Sequence, residues 1–255
     1  MKGMLYLANI EFLKLRRDRS FWILTALFAS SVTGANYMAA GLAANGPLAG
    51  VVDFSFPSAW KVVSFISSFL LVMPCLVIIM HACSEHVYRT HRQNVIDGLS
   101  RGQYVTAKLL LVAGLSLFST LLVVVLAFAL GLPGERPVSF AGFEHAGYFF
   151  VQATMYISLA FLVALVVKKS ALAIGLFCFY AFVIENMLEK YLDKLHHVGQ
   201  LLPLASSDHL LAPGRLMRIA DMGTAWSPPA LLLASVVWIG ACLLACYYKY
   251  KKQDL

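Results

Sequence analysis

Apolar runs of about 20 residues recur from one end of this chain to the other, and that recurrence constrains the fold more than any single motif. The runs lie at about 21–38, 60–82, 106–130, 147–167, 171–188 and 230–247. At ~1.5 Å of rise per residue, a helix of that length crosses ~30 Å of hydrocarbon. Backbone groups in lipid must be satisfied within the element, and the period-2 alternation of a membrane barrel is missing, so each run predicts a helix. The expected fold class is all-α: a polytopic membrane bundle of six transmembrane helices with an amphipathic N-terminal helix, forming one domain over 1–255. Composition agrees. Of the residues 60% are hydrophobic and 13% charged, whereas soluble domains run near ~45–50% and ~25%.

The net charge of +7 would suit nucleic acid if the basic residues formed a patch. They follow the topology instead. With the N-terminus placed in the cytoplasm, 14 Lys and Arg fall on that side and six on the other. This bias places both termini in the cytoplasm of a multi-pass inner (plasma) membrane protein, with the lipid bilayer and not nucleic acid as its surroundings. The first 20 residues offer no small-residue cleavage site after a short apolar core, so no cleaved signal peptide is expected. Five cysteines, all in or beside apolar runs, predict free thiols and no disulfide framework.

Energy sources and catalytic signatures are missing. The phosphate-binding pattern G-x-x-x-x-G-K-[ST] does not occur, nor do H-E-x-x-H or G-x-S-x-G, and no catalytic residue is assigned. Few charged residues are expected at mid-bilayer: Glu185 falls near the outer end of span five, Lys61 close to a boundary, and Glu85 already in a cytoplasmic segment. Any work must then come from another subunit. Four groups, His81, Cys83, His86 and His91, do not converge on one helix, and His196, His197 and His209 meet only if an outer loop folds back, so no metal or cofactor site is expected. The alternative is a membrane-embedded enzyme or a haem or metal carrier using those histidines.

Two connections are long. The outer segment 189–229 predicts helical fragments at about 188–204 and 207–223, packed at the outer face or dipping into the bilayer, with Pro203, Pro213 and Gly214 as breaks. The cytoplasmic segment 83–105 lacks Gly and Pro from Glu85 to Asp97, and Gly98 supplies a helix stop. Ser100 and Gln103 have the spacing of a capping box that opens a fresh helix into span three. Residues 1–19 predict a cytoplasmic helix with Met4, Leu5, Ala8, Phe12 and Leu15 on one apolar face. Pro74 removes a hydrogen bond inside span two and predicts a kink.

Six spans, cytoplasmic termini, a basic helix before span one, a polar helix between spans two and three and a long loop before span six resemble the type-2 ABC-transporter permease family. The stretch from Tyr88 to Arg101, followed after Gly102 by Gln-Tyr-Val-Thr-Ala-Lys-Leu, is similar to the segment such permeases carry after their second span. The resemblance implies the permease subunit of an ATP-driven exporter. It also implies a separate cytoplasmic ABC ATPase as partner, a second permease copy or related permease, and ATP and magnesium bound by the ATPase, with no cofactor in this chain. Carried onto this sequence, Arg89, Thr90, His91, Arg92, Gln93, Asn94 and Asp97 match the docking helix, and residues 4–17 match the connecting helix. If two copies enclose a path for cargo, Ser31, Asn36, Ser64, Ser67 and Ser68 are its expected polar lining, since spans one and two hold these small polar groups.

Overall fold

The computed structural model describes residues 11–16, 18–46, 52–87, 101–132, 137–194, 197–211 and 225–252. The docking segment Arg89 to Asp97 and the stretch 212–224 lie outside them. The described residues are helical and contain no strand: α1 (11–16), α2 (Arg19–Asn45), α3 (Ser58–Ser68), α4 (Val72–Val87), α5 (Arg101–Gly131) and α6 (Glu144–Val167). After these come α7 (Ser170–Asp193), a 3-10 turn (Val198–Leu201), α8 (Pro203–Leu211) and α9 (Pro228–Lys252). Five helices are long and apolar enough to cross a membrane, and six spans result when α3 and α4 count as one bent span. The protein is thus an all-α polytopic membrane bundle.

Local chemistry sets the ends. Asp18 caps α2 by accepting a hydrogen bond from Ser20 N at 2.9 Å. Lys168, in the left-handed region at φ 60°, closes α6. Only Lys168 and Lys169 separate α6 from α7, so the two helices are antiparallel neighbours. Span two bends by 46° between α3 and α4. The cause is Pro74, in the first turn of α4, which has no N–H to give the Leu70 carbonyl. Leu70, Leu71 and Met73 bond three residues back instead, to Ser67, Ser68 and Leu70. The expected kink therefore opens just before the proline, about 20 Å of helix from Val87.

Packing is organised around α6, whose residues Phe149, Gln152, Met155, Ile157, Ser158 and Phe161 are all buried. One apolar cluster near the chain termini joins Leu15, Ile78, Cys83, Val112, Phe161, Phe177 and Cys246. Leu15 and Cys246 belong to it together, so both described chain ends share one end of the bundle, called here the terminal end. At the distal end Phe28, Phe56, Trp60, Leu71, Val123, Phe149 and Leu211 form a second cluster. A third, smaller cluster holds Met155, Ala181, Leu204 and Cys242. Tyr156 packs against all three. The outer surface is apolar over its length, with Ile23, Met38, Leu121, Val125, Leu172, Phe182, Leu233 and Val237 exposed, as a lipid-facing surface requires. All five cysteines are free, in line with the sequence expectation.

Trp60 closes the distal end. Its ring meets Phe128 edge-on at 4.9 Å and Phe143 at 5.1 Å, and its indole N–H donates to Ser139 O at 2.8 Å. Trp60→Ala should lower stability by about 3–5 kcal/mol through the cavity it leaves. Lipid-facing Leu233→Ala should cost well under 1 kcal/mol. Unfolding of both variants in detergent, followed by helicity, measures the difference.

Candidate functional site

Two polar sites stand out against the apolar bundle, one at the terminal end and one in the distal half. The first begins with the i, i+3, i+4 spacing of Glu11, Lys14 and Leu15, which places all three on one face of α1. That face turns inward. Glu11 and Leu15 are buried, and Phe12 and Leu13 are exposed on the other side. The apolar face expected from Phe12 and Leu15 is thus divided, and the packed face of α1 carries the charges.

Those charges meet the end of α4 and the start of α5. Lys108 Nζ donates to Glu11 Oε2 at 2.7 Å and lies 2.7 Å from Glu85 Oε2. Lys14 Nζ donates to the other oxygen of each carboxylate at 3.1 Å. His81 Nε2 sits 3.4 Å from Glu11 Oε2 and 3.3 Å from Lys108 Nζ, so it serves either an acceptor or a donor, according to its tautomer. Lys108 has no exposed surface, and Glu11, His81 and Glu85 retain 4–6%. Two carboxylates against two ammonium groups make the set formally neutral with His81 uncharged. This is how a cluster of ions is tolerated at such depth, because removing one member leaves its partner buried and unpaired. Burial alone would raise the Glu11 carboxyl. The His81 hydrogen bond and the charges of Lys108 and Lys14 outweigh it and hold Glu11 well below its ordinary value.

Donor atoms of Glu11, His81 and Glu85 lie within 4.8 Å of one another, a spacing that a metal ion accepts. The carboxylate oxygens already bind the Lys108 and Lys14 ammonium groups, which a metal would have to displace. The donor set therefore fits an internal ion-pair network better than a metal centre.

The second site is made by a segment that folds back. α7 continues past its expected end to Asp193, through a π-helical turn at Tyr180–Ile184. The chain then enters the bundle. Trp238 Nε1 donates to Leu201 O at 2.9 Å, and Ser206 and Ser235 hydroxyls are 3.0 Å apart. Counted along α9 from Pro228, these contacts lie roughly 10–15 Å below its distal end. Pro203 starts α8 instead of breaking a helix, because a first-turn proline has no intrahelical N–H bond to lose. Glu185 Oε1 caps that turn, accepting from Leu204 N and, at 2.9 Å, from Ala205 N. Leu204, Ser206, Ser207, Leu210 and Leu211 are buried, so this part of the expected outer loop is an interior helix.

α8 brings Asp208 against α6. Gln152 Nε2 donates to Asp208 Oδ1 at 2.7 Å, and Tyr156 OH donates to Oδ2 at 2.9 Å. Gln152 and Tyr156 are about 12 and 18 Å along α6 from Glu144. A carboxylate thus reaches the depth of the spans, contrary to the expectation of almost no charge there. The reason is tertiary: Asp208 belongs to a loop by sequence and to the bundle by fold. His209 Nε2 pairs with Glu189 Oε1 at 2.6 Å.

The other sequence-predicted residues fall as follows. Asn36 Nδ2 donates to Ser67 Oγ at 3.1 Å, tying α2 to α3. Asn36, Ser64 and Ser67 are buried between helices, and Ser31 and Ser68 are half-buried. Cys83 points its thiol at Ala164 O, 3.9 Å away. His91, His196 and the seven docking residues lie outside the described residues. A family model described as "Protein of unknown function (DUF2705)" matches residues 21–255. No curated protein matches the chain.

The terminal network makes stability depend on acid. A depressed carboxyl contributes stability above its unfolded value, about 4.5, and loses it as pH falls through the folded value. The thermal midpoint in detergent should therefore be level from pH 7 to about 5 and fall steadily below about 4.5. Glu11→Gln should be less stable by about 3 kcal/mol at pH 7 and show a shallower acid slope. Melting curves across that pH range, for both proteins, check this.

Proposed function

We propose that this chain, which belongs to the DUF2705 family, is the permease subunit of an ATP-driven exporter. It lies in the inner membrane with both termini in the cytoplasm, on the strength of the 14-to-6 split of basic residues. ATP and magnesium are bound by a separate cytoplasmic ABC ATPase, so this chain itself is not an enzyme. A second permease copy or related permease completes the transport unit.

One observation carries the reading. Glu11 of α1, Glu85 near the end of α4 and Lys108 near the start of α5 are locked in a single buried ion network. The last two flank Arg89 to Asp97, the residues matched to a docking helix. A displacement applied there by a partner would move α1, α4 and α5 as one body, since parting them exposes unpaired charges. The bend before Pro74 then allows α4 to move relative to α3. The exposed Phe12 and Leu13 give α1 an apolar face toward the lipid interface.

The test is capture of an ATPase. Affinity purification of the full chain from its native membrane should bring down an ATP-binding subunit. Reversing two docking charges together, Arg92→Asp with Asp97→Arg, should reduce its recovery at least ~10-fold, because losing charged contacts at an interface costs ~2–5 kcal/mol. The permease's own melting midpoint should not change. Unchanged ATPase recovery by the double variant contradicts the docking assignment, and absence of any ATP-binding partner contradicts the permease reading.

A further inference from the structure

The two polar sites differ in one respect. At the terminal end each carboxylate meets ammonium groups within the chain. In the distal half, among the described residues, Asp208 is hydrogen-bonded by the neutral donors Gln152 and Tyr156 and has no ammonium or guanidinium partner. His209 next to it is engaged by Glu189. An unneutralised carboxylate at the depth of the spans is costly, and such residues mark ligand or ion pathways. Asp208 is also exposed, whereas Ser206 and Ser207 before it are buried.

Two buried acceptor oxygens near it have no hydrogen-bond partner. Gln152, 2% exposed, gives its amide nitrogen to Asp208 and leaves its amide oxygen with no partner. Glu185, 3% exposed, caps Leu204 and Ala205 with Oε1 and leaves Oε2 with no partner. Leu204 and Asp208 are four residues apart on α8, so the turn that Glu185 caps lies one helical turn before the position of Asp208. Buried acceptors left unpaired cost free energy that a bound donor recovers. Tyr156 packs against all three apolar clusters, so apolar side chains adjoin the site and suit the hydrocarbon part of a ligand. These oxygens are more spread than a metal ion needs. Among the described residues, only Glu11, His81 and Glu85 gather three such donor groups within metal-ligand spacing.

We propose that Asp208, with Gln152, Tyr156 and Glu185, is a recognition site for an organic cation carrying a primary ammonium or guanidinium group. As a statement about cargo, this rests on the permease reading; as a binding site, it stands alone. The cation's N–H groups supply donors to the Asp208 carboxylate, Gln152 Oε1 and Glu185 Oε2, and its charge neutralises Asp208.

The test uses the full chain in lipid nanodiscs with no ATPase present, and dansylcadaverine as the probe, a fluorescent primary amine. Its fluorescence should titrate to saturation and be displaced by excess hexylamine. Asp208→Asn should weaken binding at least ~10-fold, as expected for loss of a charged contact, whereas Asp208→Glu should stay within ~3-fold of the wild type. The N-acetylated, neutral probe should bind the wild type at least ~10-fold more weakly than the amine. Gln152→Leu, similar in volume but without the amide, should weaken binding and locates the site even if Asp208→Asn fails to fold. Equal binding of the amine to folded Asp208→Asn, equal binding of the acetylated probe, or no saturable binding by the wild type would overturn the proposal. Loss of ATPase capture with this binding intact would sink the permease reading alone.

Discussion

An ion buried among apolar helices must find its counter-ion within the same fold, and Lys108 shows how far that requirement reaches. With no exposed surface, its ammonium group is held between Glu11 and Glu85 at 2.7 Å from each. Neither carboxylate can leave without stranding a charge, so three separate pieces of chain are joined where apolar packing alone would let them slide. Leu15 adds α1 to the apolar cluster that contains Ile78, Val112 and Phe161. α1 is consequently part of the bundle and not a loose leader to it.

The same physics makes the distal site different. Among the described residues, Gln152 and Tyr156 meet the Asp208 carboxylate with dipoles and not with a counter-ion. A closed network favours one arrangement of its helices, and an open one leaves acceptors for something that arrives. The π-helical turn before Glu185 fits this division, because such turns re-aim side chains at positions where function outweighs helix regularity. One end of the protein is thereby locked by ion pairs, and the other leaves buried acceptors unpartnered.

Much of the fold was legible in the sequence because lipid imposes simple rules. The apolar runs at 106–130 and 147–167 fall within α5 and α6, Pro74 announced the bend in span two, and the Lys168–Lys169 turn announced the antiparallel pair. What escaped was tertiary. Glu11, Glu85 and Lys108 are far apart in the chain, and each alone reads as a solvated charge beside a span. The i, i+3 spacing of Glu11 and Lys14 on a helix facing Glu85 and Lys108 was the available signal, and it has no periodicity to distinguish it from a surface pair. Segment 198–211 carries Gln200, Ser206, Ser207 and Asp208 and so reads as an outer loop. Its burial depends on partners elsewhere, Trp238, Ser235, Glu185 and Gln152, that satisfy its polar groups.

The central claim is that the terminal network couples α1 energetically to the junction of spans two and three. A double-mutant cycle on Glu11→Gln and Lys108→Met, measured by reversible unfolding in detergent, reads that coupling directly. The account predicts an interaction energy of about 1–3 kcal/mol, with the double variant less damaged than the sum of the single ones. Additivity within ~0.5 kcal/mol would contradict it, and would make the network a set of independent surface charges.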